Sequence, residues 1–162
     1  MSLEFNLEKQ AAKVAHINLR EEKHGDDSVV AIDVKITTDV PNDFLSYLAP
    51  TLKWSLYDKQ PGQGELIPDD KHLPHLRYPQ LGEIKWGDDM AGAQVLIQNM
   101  TMPGDLELTA DVNKLVLVPK EGGTVEVAFR LQLQPSPKQS AALVGYLGQM
   151  VRITVRSAGE PE

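Results

Sequence analysis

The sequence predicts one mostly β domain, an antiparallel β-sandwich of jelly-roll-like or related topology with two short helical segments. Three observations lead there. Residues 30–36 and 125–133 alternate strictly between apolar and polar side chains, the period of a strand with one buried face. Clusters of Gly, Pro and Asp interrupt the chain at short intervals, as turns do in an all-β domain. Only residues 42–57 and 136–148 change to a helical spacing. The domain spans residues 1–162, with a long Pro/Gly-rich loop at 58–80 and a frayed tail at 157–162.

The elements follow in chain order. Ala15, Ile17 and Leu19 alternate with His16, Asn18 and Arg20. After His24-Gly25-Asp26-Asp27, Val30, Ile32, Val34 and Ile36 alternate with Ala31, Asp33, Lys35 and Thr37, and the pair reads as a β-hairpin. Asn42 or Asp43 can cap a helical turn ending at Leu48. A second short helix, with Pro50 in its first turn, buries Leu52 and Leu56. Strands resume at 81–86 and 94–99, and Leu106, Leu108 and Ala110 alternate after them. A hairpin follows, 115–118 and 124–134 around Pro119-Lys120-Glu121-Gly122-Gly123, with Val125, Val127, Phe129, Leu131 and Leu133 on one face. Ser136 and Gln139 form a capping box with Pro137 at the first helical position. Leu143, Val144 and Leu147 make the apolar stripe of that helix, and Gly148 ends it. Val151, Ile153 and Val155 close the chain as an inward-facing strand. Together, Ile32, Val34, Val127, Phe129, Leu131, Ile153 and Val155 are the predicted core.

Composition bounds the chemistry. With 41% hydrophobic and 24% charged residues the chain lies far from the disordered regime. Its 162 residues suffice to bury a core without metal or disulfide. The absence of cysteine excludes disulfides, thiolate metal sites and a Cys nucleophile. No stretch approaches the ~18 apolar residues of a membrane span. The start, Met1 to Glu8, carries acids where a secretory signal carries Lys or Arg, so a cytoplasmic location without membrane association is expected. The net charge of −7 disfavours bulk attraction to nucleic acid. The charge is uneven: residues 114–156 hold six Lys and Arg against Glu121 and Glu126 alone.

Four constellations bear on function. Asp69, Asp70, His72 and His75 are ligand types for zinc or another divalent metal, but Pro74 precludes a regular helix between the two His, and an exposed polar loop with no cofactor is the expectation. Glu21, Glu22, Asp26 and Asp27 crowd a predicted hairpin tip, where solvated carboxylates serve to blunt an edge rather than to catalyse. Pro61-Gly62-Gln63-Gly64-Glu65 lacks the Lys-Ser/Thr of a phosphate loop. Finally, Arg130, Gln132, Gln134, Arg152 and Arg156 all have outward parity. If strand 124–134 neighbours strand 150–156, they share one face that suits phosphates, base edges or a polar protein partner. Trp54, Tyr57, Tyr78 and Trp86 lie on neither strand, so stacking platforms for single strands are missing from that face.

The run Arg20-Glu21-Glu22-Lys23-His24-Gly25-Asp26-Asp27, the strand 29–36, then Pro41-Asn42-Asp43-Phe44-Leu45 and residues 52–57, resembles a family of bacteriophage and prophage early accessory proteins. The likeness covers roughly the first sixty residues, with a weaker echo in the hairpin at 122–130. It implies no activity and no functional residue. It implies a non-virion gene product from a region concerned with DNA recombination or host defence, placed in the bacterial cytoplasm.

The combined expectation is a non-enzymatic phage or prophage accessory protein that binds another macromolecule, with protein as partner. The alternative is a single-stranded DNA-binding protein of a recombination or replication module. A metal-dependent enzyme centred on His72 and His75 is the third class. Pairing of strand edges, through Thr124–Gln134 or the first hairpin, would make a homodimer.

Overall fold

The computed structural model describes residues 3–59, 73–101 and 104–157. Its strands are β1 (Leu7–His24), β2 (Asp27–Pro41), β3 (Tyr57–Asp58), β4 (His75–Leu76), β5 (Ile84–Trp86), β6 (Met90–Asn99), β7 (Asp105–Pro119), β8 (Thr124–Leu133) and β9 (Met150–Arg156). Its α-helices are α1 (Leu45–Leu48), α2 (Leu52–Leu56) and α3 (Pro137–Gly145). Among the described residues no helix is long and apolar enough to cross a membrane.

The chain is mostly β, as its periodicity predicts, but the sheet is not a sandwich. The order β7-β6-β9-β1-β2-β8 closes on itself through a β7–β8 pairing, giving a six-stranded antiparallel barrel. β5 pairs with Leu115, Val116 and Leu117, beyond the β6 ladder on β7.

β-Bulges curl the sheet. Inward parity in β1 runs through Leu7, then Ala12 and Val14, then Ile17, with register shifts between Leu7 and Gln10 and between Val14 and His16. In β7 it passes from Val112 to Leu115 across Lys114, and in β6 from Met90 to Ala93 across Gly92. Each extra residue bends its strand and raises its twist. Twist and bend accumulated over long strands bring β7 back against β8, and the other sheet among the described residues is the two-stranded β3–β4 pair, not a second layer of a sandwich.

The predicted core residues all point into the barrel. Ile32, Val34, Val127, Leu131, Ile153 and Val155 are fully buried, and Phe129 is 1% exposed. The N-terminal segment closes one end: Leu3 N–H donates to the Asp89 carbonyl (2.9 Å), and the Phe5 ring meets Phe44 and Phe129 edge-on at 5.2 and 5.6 Å. The same end carries α1, α2 and the β7–β8 turn. Tyr57 is buried there, its hydroxyl accepting from Lys120 N–H (2.9 Å) and lying 2.8 Å from the Lys120 carbonyl oxygen.

At the opposite end the Ser136–Gln139 capping box is present and α3 inserts Leu143 into the core. The helix is shorter than its apolar stripe suggests. It ends at Gly145, and Val144 and Leu147 are exposed. Gly148, at φ 81°, serves instead to return the chain to β1, its N–H donating to the Val14 carbonyl. Pro50 also differs from expectation. It precedes α2, whose cap is Thr51, rather than occupying its first turn.

Both edges of β8 are occupied, by β2 and β7, so Thr124–Gln134 is not available for pairing with a second copy. The first hairpin is the part that projects. β8 stops opposite Ile32 and β9 stops opposite Lys13, while the β1–β2 ladder continues to His24 and Asp27.

A candidate binding groove on the outer face of the barrel

Across the outer face of β1, β2, β8 and β7 the ladders align polar side chains in rungs. His16 stands opposite Lys35, Lys35 opposite Arg130, and Arg130 opposite Asn113. The neighbouring rung on one side is Asn18, Asp33, Gln132 and Asp111. On the other side come Thr37, Ala128 and Val116, then Asp39, Glu126 and Val118. A groove of about 530 Å³ lies over these rungs, walled in addition by Glu83 and Lys114.

The bulge in β7 builds part of this wall. Lys114 sits at φ 54°, a left-handed conformation that is uncommon for a residue with a Cβ. The bulge ends the pairing at Asn113 and resumes it at Val116, and Lys114 stands at the groove between them.

Local pairs fix the polar floor. Arg130 Nε donates to Asn113 Oδ1 (2.7 Å), and Asn113 Nδ2 donates to Gln132 Oε1 (3.0 Å). Arg20 grips Asp33 with both Nε (2.8 Å) and Nη2 (3.1 Å). That hydrogen-bonded guanidinium holds the Asp33 carboxyl below its ordinary range, against the opposing effect of burial, and Arg130 adds to the lowering. Glu126 is tied to Lys120 at 3.2 Å. Lys35, Lys114 and Arg130 make no ion pair with any of the described carboxylates. With Asp33 and Glu126 paired to Arg20 and Lys120 outside the lining, Lys35, Lys114 and Arg130 stand against Glu83 alone.

The structure divides the predicted Arg/Gln face. Arg130 lines the groove and Gln132 joins it through Asn113 from the adjoining rung, but β8 and β9 are not neighbours: β2 and β1 stand between them. Arg152 and Arg156 therefore face the opposite side of the barrel, where Arg156 pairs with Glu8 at 3.3 Å. Gln134 lies beyond β8, with Nε2 3.2 Å from His24 Nε2. Parity was legible in the sequence; the identity of the strand beside β8 was not. His16, Lys35 and Lys114 are absent from the predicted face for that reason, although the alternation of β2 gives Lys35 its outward parity.

The other constellations sit apart from the groove. His75 Nδ1 is 3.0 Å from Glu121 Oε1, while Asp69, Asp70 and His72 lie outside the described residues. Among the described residues no three His, Asp or Glu side chains converge as a metal site. Glu21, Glu22, Asp26 and Asp27 lie at the projecting hairpin tip, with Glu22 3.5 Å from Arg20. Trp54 and Tyr78 are exposed near α2, Tyr57 is buried, and Trp86 is half-buried on β5. None of these four rings lines the groove.

No protein-family model, curated protein or solved structure matches the chain.

Proposed function

We propose that the chain is a non-enzymatic accessory protein that binds a protein partner through the groove over β1, β2, β8 and β7. The observation that carries this reading is the set Lys35, Lys114 and Arg130: three cations gathered in one groove, none in ion-pair contact with a carboxylate among the described residues, on a chain of net charge −7. Such local excess charge on an acidic body steers and orients a complementary surface.

A photo-crosslinking residue at Ala128, in the groove, tests the reading in bacteria producing the chain. It should give a discrete protease-sensitive adduct that disappears when Lys35→Glu is added. The same residue at Gln98, on the β6 wall, should not give it. A nuclease-sensitive adduct at Ala128 would install single-stranded DNA as the partner, the reading that the cationic rung itself supports. Identical adducts from both positions would remove the groove from the argument.

A further inference from the structure

Resting on that reading of the groove, we infer its ligand class: an extended protein segment in which a carboxylate and an aliphatic side chain stand two residues apart. Two adjacent rungs carry the argument. The His16–Lys35–Arg130 rung is cationic; the next rung runs Lys13–Thr37–Ala128–Val116, and the part of it that lines the groove, from Thr37 to Val116, has small side chains that are apolar at Ala128 and Val116. Rungs on the same sheet face are about 7 Å apart along the strands. An extended polypeptide places its side chains i and i+2 on one side at the same spacing. A segment lying along β2 and β8 therefore sets Asp or Glu on the cationic rung and Val, Ile or Leu on the apolar one.

The flanking rungs add specificity. Beyond the apolar rung stand Asp39 and Glu126; Glu126 is paired with Lys120, so Asp39 is the carboxylate that disfavours a further acid and accepts a polar or basic side chain. Beyond the cationic rung stand Asn18, Asp33, Gln132 and Asp111, with Asp33 held by Arg20 and the Gln132 amide oxygen accepting from Asn113. A continuous polyanion fits this order less well than a segment with a single carboxylate, because it also meets Glu83, the lining carboxylate without an ion pair among the described residues. The Phe129 ring is buried inside the barrel, so the His16 imidazole is the one ring left to the groove among the described residues, and bases lack a stacking platform.

The test is an amide-resolved NMR titration of the ¹⁵N-labelled protein with three probes: the peptide Thr-Ser-Glu-Ser-Val-Ser-Lys, its isomer Thr-Ser-Ser-Glu-Val-Ser-Lys, and the oligonucleotide dT12. The first peptide should shift the amides of Lys35, Val116, Ala128 and Arg130 with saturation. The isomer, whose Glu and Val face opposite sides, should bind several-fold more weakly. The double variant Lys35→Glu/Arg130→Glu should lose on the order of tenfold in affinity for the first peptide, as expected for reversing two charge contacts. The peptide with Lys in place of Glu should recover binding to that variant. Arg152→Glu, on the opposite wall, should change nothing. Equal binding of the two peptides would overturn the spacing rule and with it the inference. If dT12 binds the same amides more tightly than either peptide, and the double variant loses it, the groove stands as a binding site and the peptide inference falls. If no probe shifts those amides, or the double variant binds as the wild type does, both fall.

Discussion

Lys35 on β2 and Arg130 on β8 occupy directly opposed positions of one antiparallel ladder, two cations side by side on the outer face of the barrel. Like charges so placed are unfavourable by a few tenths of a kcal/mol, with an upper bound of about 1 kcal/mol. Asp33, two residues from Lys35 on the same face, relieves part of this but is itself engaged by Arg20. Lys35→Thr should therefore raise stability by about 0.5 kcal/mol while weakening any acidic ligand of the groove. Urea denaturation beside a peptide titration reads both. A variant that lost stability would mean that the pair is not repulsive in the folded protein.

Lys114 and Lys9 both hold positive φ in β-bulges, at 54° and 47°. A residue with a Cβ is strained there by about 1 kcal/mol, and glycine is not. The greater chain entropy of glycine offsets most of that gain, so Lys114→Gly and Lys9→Gly should each raise stability by at most about 0.5 kcal/mol, read as a small upward shift of the urea midpoint. Their effects on ligand affinity should separate. Lys114 lines the groove, whereas Lys9 lies on the β1–β9 side, where its N–H donates to Thr154 Oγ1. Loss of binding in both variants would point to a general effect of the bulges.

The Arg20–Asp33 pair sets a pH dependence. Asp33 titrates below its ordinary range in the folded protein, chiefly through the hydrogen bonds from Arg20. In the unfolded chain it titrates near pH ~4. A depressed carboxyl contributes stability that is fully present above the unfolded value and is lost as the pH falls through the folded value. The stability difference between wild type and Asp33→Asn should be constant near neutrality and shrink below about pH 4. Denaturation midpoints across pH 2.5 to about 7 measure it. A difference that grew on acidification would contradict the assigned pair.

Tyr57 links α2 to the β7–β8 turn. Its hydroxyl accepts from Lys120 N–H and lies within 3.1 Å of the Thr124 carbonyl oxygen. The residue is fully buried, and burial raises its titration above the ordinary phenol range. Tyr57→Phe leaves Lys120 N–H with only the Thr124 carbonyl, at 2.9 Å, and should cost about 1–2 kcal/mol. Hydrogen exchange should quicken at Lys120 and at Gly122, which donates to the Pro74 carbonyl, before it does at Phe129. Unchanged exchange at the turn would show that the hydroxyl does not hold it.

Much of the fold is local in origin and was legible. The period-2 runs place Ile32, Val34, Val127, Phe129, Leu131, Ile153 and Val155 inside, because a strand's parity depends only on its own residues. The Ser136 capping box is a four-residue event and appears where the sequence puts it. The stripe of α3 was less legible. Leu143 is buried and Val144 is not, since the end of the barrel admits one side chain from a helix that stops at Gly145.

Closure and the groove were decided elsewhere. Alternation states which side of a strand is dry, and it states the same for a sandwich and for a barrel. The bulges at Lys9, Ala15, Gly92 and Lys114 each insert one residue that no local period requires, and their bend becomes a closed barrel only when β7 meets β8. Which strand stands beside which is likewise set by pairing between residues far apart in the chain. Alternation alone turns Lys35, Arg130 and Arg152 outward. Only the tertiary structure put Lys35 against Arg130 and sent Arg152 to the opposite wall, because three strand positions around a six-stranded barrel are half its circumference.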